Sequence, residues 1–135
     1  MNLVSGHDTE IRKWLAEVHG AYVHQEPSVL LGIVDNGYLV GAFIITWRTD
    51  TTAELGVYGT VSPDTVKNMF RFVFGQCRIH RLEVRTPKKN KTVRKAAPKF
   101  GFQFEGSARD YYGPGVNALV FAMTIQQCRW LERHG

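Results

Sequence analysis

Cysteine is scarce in this chain. Cys77 and Cys128 stand alone, with no Cys-x-x-Cys pair and no histidine at ligand spacing from either. That pattern argues against a zinc site and reads as two reduced thiols of an intracellular domain. The five histidines, His7, His19, His24, His80 and His134, are scattered without spacing or partners and read as structural. No apolar run nears the roughly 20 residues needed to span a bilayer, so no membrane contact is expected. The opening MNLVSGHDTE has neither a basic n-region nor an apolar h-region, so it does not read as a signal peptide and a cytoplasmic location is expected. Internal repeats, low-complexity tracts and linkers are also missing.

What is present fits one globular domain over 1–135. Hydrophobic residues make up 44% and charged residues 21%, values that exclude a disordered chain. A domain of this size buries roughly 68% of its unfolded surface, enough for a core without staples. The net charge of +5 suits an anionic partner. Nucleic acid, a phosphate-rich cofactor and an acidic protein all remain open on charge alone.

Periodicity gives the order of elements. Ile11, Trp14, Leu15 and Val18 form the i, i+3, i+4, i+7 stripe of an amphipathic helix, with Ser5 and Asp8 at its start and Gly20 at its end. On that stripe Trp14 reads as core rather than as a ligand platform. Strands are expected over 29–35 and 38–47, joined by Asn36-Gly37 in a type I′ hairpin, and over 53–61, which completes an antiparallel meander. Ser62-Pro63-Asp64 starts a second helix whose apolar face is Val66, Met69, Phe70, Val73 and Phe74, closed by Gly75. A strand over 80–86, buried at Leu82 and Val84, follows this helix, so a parallel crossover is the natural connection. A basic helix over 91–99 and strands over 102–112 and 116–125, turned by Gly113-Pro114-Gly115, complete a mixed sheet with helices on its faces.

The C-terminal half carries a recognisable combination. Arg81-Leu82-Glu83-Val84 leads to Asn90, Lys99-Phe100-Gly101-Phe102 follows, and Phe104-Glu105-Gly106 leads through Arg109 to Gln127-Cys128-Arg129-Trp130-Leu131. Over 78–131 this resembles the GNAT superfamily of N-acetyltransferases, closest to the ribosomal-protein N-acetyltransferase branch. The short chain is also similar to compact phage-type members. The preceding meander matches by topology only. The resemblance implies a single α/β (α+β) domain with a mixed, mostly antiparallel sheet, a splayed central parallel pair and flanking helices. It also implies acetyl-CoA as cofactor, its pantetheine arm lying like an added strand between 53–61 and 80–86. Backbone N–H groups near Val57 and Tyr58 would then polarise the thioester carbonyl, Gly59 would also border the cofactor, and Asn90 would match the family asparagine beside it. The plainer reading of Asn90 is an ordinary turn or N-cap residue after Pro87.

The sequence departs from that pattern in two places. The family's Gly-rich phosphate loop is replaced by Val61-Ser62-Pro63-Asp64-Thr65, which has no glycine, no donor at Pro63 and a carboxylate at Asp64. The helix start at Asp64 and Thr65 still offers N–H groups to a phosphate. Six basic residues between Lys88 and Lys99, Lys91 and Arg94 among them, supply compensating charge, a solvated helix face or a nucleic-acid contact. No interleaved aromatics support single-strand stacking. The positions of the usual proton donor fall at Val93 and Ala97, which cannot donate, and Pro98 shortens or distorts that helix. The remaining candidates are Glu54 as base, unless it faces solvent, and Tyr111 or Tyr112 as acid. Strand alternation puts the two tyrosines on opposite sides, so at most one serves.

The leading reading is an acetyl-CoA-dependent N-acetyltransferase of a protein or peptide amine, a Lys or an N-terminus, attacked directly in a ternary complex. The short segment from Gly20 to Ser28 suits an open cleft for such a tail. The rivals are a catalytically inactive module that binds an acidic protein or nucleic acid through 88–99, and an acetyltransferase of an RNA-linked amine. The terminal strand leaves monomer and homodimer open.

Overall fold

In the computed structural model, described over residues 1–23 and 27–131, seven strands form one sheet in the order β1-β2-β3-β4-β5-β7-β6. The elements run β1 (Asn2–Val4), α1 (Asp8–His19), β2 (Ser28–Asp35), β3 (Tyr38–Trp47), β4 (Thr52–Gly59), α2 (Pro63–Arg71), β5 (Arg81–Pro87), α3 (Lys91–Phe100), β6 (Gln103–Gly113) and β7 (Val116–Thr124). Every neighbouring pair is antiparallel except β4 and β5. That single parallel pair results from the α2 crossover, which returns β5 in the direction of β4. The expected mixed α/β sheet with flanking helices is what the chain forms.

Local chemistry explains the elements. Asn36 and Gly37 both take positive φ, 51° and 83°, as the type I′ turn between β2 and β3 requires. The Ser62 side chain caps α2, and Pro63 occupies its first turn. From α2, Val66, Met69 and Phe70 join Leu31, Phe43 and Leu82 of the sheet in the main core. A smaller cluster on the opposite face holds Ile11 and Leu15 of α1 against Leu30 and Ala42.

Several expectations are corrected. Ser5 does not cap α1: His7 occupies the N-cap without a side-chain bond. Val18, expected on the apolar stripe, is 61% exposed, while Ile11 and Leu15 of that stripe are buried. Gly75 does not end α2, which continues as a π-turn over Phe72–Gln76 that keeps Val73 and Phe74 buried. Strand β1 has no signal in the sequence, since three residues show no period. Pro98 lies inside α3 without ending it; the helix runs on to Phe100. There the C-terminal segment supplies donors for the last carbonyls: Trp130 Nε1 to Phe100 O at 2.8 Å, and the Arg129 guanidinium to Lys99 O. His24 and His134, and the middle of the 20–28 segment, lie outside the described residues. No described helix is long and apolar enough to cross a membrane.

Gly59 closes the β3–β4 ladder opposite Gly41 with φ +75°. A Cβ there would lie 2.4 Å from Val40 O and 2.8 Å from Trp14. Gly59→Ala is therefore expected to lower unfolding free energy by about 1–3 kcal/mol in urea titration, from backbone strain and this clash together.

Candidate active site

The parallel ladder between β4 and β5 holds only Thr52↔Arg81, Ala53↔Leu82 and Glu54↔Glu83. Beyond Glu54 the two strands part, while β4 stays paired to β3 as far as Gly59 and β5 to β7 as far as Pro87. Backbone groups along a strand point alternately to its two edges. Thr60 N–H donates to Val40 O on the β3 side and Thr51 O accepts from His80 and Arg81 on the β5 side. Even-numbered residues of β4 therefore face β3, and Val57 presents its N–H and C=O to the opening. Of the two candidate oxyanion donors, Val57 points its N–H into the opening, as does Gly59 beside it. Tyr58 does not: its N–H faces β3.

Behind the opening a cavity of about 270 Å³ lies between β4, α2 and α3, lined by Leu55, Val57, Val66, Phe70, Val93 and Ala96 among others. Its walls are mostly hydrocarbon, and Asn90 also borders it. The Asn90 side chain accepts Val93 N–H at 3.2 Å and so caps α3, which fulfils its plainer reading while leaving it beside the cavity.

The start of α2 offers a phosphate little. Ser62 N–H donates to Thr65 Oγ1 at 3.0 Å, Thr65 N–H to Ser62 Oγ at 3.2 Å and Val66 N–H to Ser62 O at 3.1 Å. Pro63 has no N–H. Among the described first-turn donors only that of Asp64 remains, beside its own carboxylate. Thr65 is 1% exposed and its hydroxyl bonds Ser62 O, so it is consumed in the cap. Lys91 and Arg94 are also not in the cavity. They line a separate groove with Lys88, Lys95 and Phe104, on the other flank of α3. The residues present thus fit a pantetheine arm, which needs strand-like backbone partners and apolar walls. They do not fit the diphosphate at the place the family uses.

On the opposite sheet face the opening meets a polar cluster. Glu54 does not face solvent freely: its carboxylate accepts from Arg48 Nη2 at 2.7 Å and from Tyr111 Oη at 3.1 Å. Tyr112 lies on the same side. An irregularity between Ala108 and Gly113, with Asp110 at φ 56°, breaks the alternation of β6 and brings the two rings into edge contact at 4.9 Å. The expectation that they face opposite ways is thereby corrected. Burial raises the Tyr111 hydroxyl pKa, and the Glu54 charge and hydrogen bond raise it further. Burial pushes Tyr112 up to about 12, helped by Tyr111 and Glu54. Both phenols stay protonated at neutral pH and can donate. Three neighbours escaped the sequence reading. Arg48 pairs with Glu54 across the β3–β4 turn, and hairpin register alone signals it. The Arg85 guanidinium lies 5.0 Å from the Tyr111 ring centre, and His19 packs edge-on between Trp14 and Tyr58. His19 is therefore not without partners. Among the described residues no cluster of His, Cys, Asp or Glu fits a metal.

Solved structures share this architecture. Spermidine/spermine N-acetyltransferase SpeG from Vibrio cholerae matches with TM-score 0.73 at 11% identity, over 91% of this chain and 91% of that one. A chimera of the Vibrio cholerae spermidine N-acetyltransferase gives 0.74 at 12% identity, over 97% and 98%. Another acetyltransferase structure gives 0.66 at 19% identity, over 76% of this chain and 62% of that one. At these identities the likeness establishes the GNAT fold. No family model matches the chain, and no curated protein is similar to it in sequence.

The tyrosine pair makes a pH prediction. An unfolded tyrosine ionises near pH 10. Between pH 10 and about 12 the unfolded chain therefore releases a proton that folded Tyr112 keeps. Stability should be insensitive to this residue below pH 10 and fall as pH rises through that window. Ultraviolet titration should show a last tyrosinate step near pH 12 that Tyr112→Phe removes.

Proposed function

We propose that the chain is a GNAT N-acetyltransferase that moves an acetyl group from a pantetheine thioester, in the simplest case acetyl-CoA, to a protein amine. The observation that carries the reading is the end of the β4–β5 ladder at Glu54↔Glu83, with an apolar cavity behind it and a carboxylate–phenol pair in front. The cofactor, when bound, supplies an acetyl carbon activated as a thioester. The Val57 N–H, aimed into the opening, is the donor suited to charge developing on the carbonyl oxygen. Glu54 accepts the proton of the attacking amine, directly or through a water. The Tyr111 hydroxyl, already bonded to Glu54 and kept neutral by its surroundings, is the group suited to protonate the departing sulfur. The amine nitrogen bonds the carbonyl carbon, the carbon–sulfur bond breaks, and the thiol leaves with one proton.

A protein amine, Lys or N-terminus, suits the polar groove better than a polyamine, the acceptor named for the Vibrio cholerae enzymes. The groove is lined by Arg48, Arg81 and Arg85 against Glu54 and Glu83. With Glu105 paired to Arg81, three guanidinium groups meet three carboxylates, and the groove has no negative field to gather a polycation. A single amine on a neutral or acidic segment meets no such barrier. The open groove beside the exposed Tyr111 and Tyr112 gives that segment room, in keeping with the ribosomal-protein branch.

Two outcomes are expected. Millimolar acetyl-CoA should raise the melting temperature, and Ala96→Trp, which fills the cavity from α3, should abolish that shift while leaving far-ultraviolet circular dichroism unchanged. No shift with the unaltered protein would instead favour a non-catalytic binding module. In an acetylation assay on a lysine-containing peptide, Glu54→Gln should lower kcat by about 10²–10⁴ with KM for the donor little changed.

A further inference from the structure

Resting on the acyl-transfer reading above, we infer that the acyl donor is a phosphopantetheine thioester carried by an acidic carrier protein, which docks on the basic flank of α3. The two ends of a nucleotide thioester receive opposite treatment in this fold. The pantetheine end has its opening, with the Val57 backbone and an apolar cavity. The diphosphate end meets a helix start whose N–H groups are spent on a capping box and whose one remaining donor sits beside Asp64. A carrier-borne arm needs only the first of these.

Positive charge lies elsewhere. Between Lys88 and Phe104 there are six basic residues and no acidic one. Among the described residues none of the six joins an ion pair, and Lys88, Lys91, Arg94 and Lys95 are exposed. Arg94 is steadied by its bond to Lys88 O at 2.9 Å. These four line a groove of about 580 Å³ whose floor is Phe104, Leu119 and Phe121 of β6 and β7. Phe104 remains 57% exposed. A basic wall over an apolar floor matches an amphipathic helix with an acidic face, which satisfies both at once. RNA is a poorer match: the one exposed ring lining this groove, Phe104, already packs edge-on against Phe121 at 5.5 Å and offers no series of stacking platforms.

Position joins groove and cavity. Asn90, Val93 and Ala96 of α3 border the cavity, and Lys91, Arg94 and Lys95 border the groove. One helix, about 10 Å across, therefore separates the docked protein from the site its arm must reach. In the transfer, the acceptor amine bonds the carbonyl carbon and the carbon–sulfur bond breaks. The phosphopantetheine thiol, left on the carrier, takes the proton that the amine gives up.

The test is calorimetric titration with acetyl-CoA, S-acetyl-phosphopantetheine and an acyl carrier protein charged with acetyl-phosphopantetheine. The proposal expects the fragment to bind within about threefold of acetyl-CoA, and the charged carrier at least about tenfold tighter than either. Lys91→Glu with Arg94→Glu should remove the carrier's advantage and leave fragment affinity within about twofold, a control that the fold is intact. Acetyl-CoA binding about tenfold tighter than the fragment, or a carrier no tighter than the fragment, overturns the proposal and leaves the acetyltransferase reading standing. Retention of an RNA oligonucleotide by the basic flank, with no carrier binding, also overturns it. Binding of none of the three donors overturns both readings.

Discussion

Three residue pairs hold β4 to β5, and the fold above them depends on where that pairing stops. Each strand is secured on its outer edge, β4 by seven register pairs to β3 and β5 by seven to β7. The two can therefore diverge beyond Glu54 without either losing its place in the sheet. The opening therefore leaves strand edges that a ligand can pair with as an added strand would. The cavity behind it, walled by α2 and α3, gives that ligand an apolar bed.

The same strand separates the chemistry into two faces. Leu55 and Val57 look toward the cavity, while Glu54 looks toward Arg48 and Tyr111. The opening thus lies between the apolar cavity on one face and the carboxylate–phenol pair on the other. The bulge near Asp110 matters here, because a regular β6 would carry only one of the two tyrosines to this side.

Charge is distributed with equal consequence. Around Glu54 arginines and glutamates nearly balance, so the groove there is close to neutral. The excess of positive charge sits on the outer flank of α3, an arrangement that the C-terminal segment stabilises by giving the last carbonyls of that helix Trp130 and Arg129 as donors. A single helix therefore presents hydrocarbon to the cavity and cations to the surroundings.

Much of this was legible in the residues themselves. The hairpin at Asn36-Gly37, the α2 start at Ser62-Pro63, the strand–helix–strand crossover and the C-terminal hairpin each follow from turn chemistry, capping or periodicity, which act over a few neighbouring residues. Glu54, Asn90 and Val57 were placed near the site by strand position and resemblance. The partners of Glu54 were not, because Arg48 and Tyr111 meet it only through hairpin register and a bulge in β6. Nor did the sequence reveal that the α2 cap consumes the N–H groups a phosphate would need, or that Lys91 and Arg94 turn away from the cavity. Local sequence determined the elements and their order. Which backbone groups stayed unpaired, and which side chains met across the sheet, was decided by tertiary packing, because those contacts join residues dozens of positions apart.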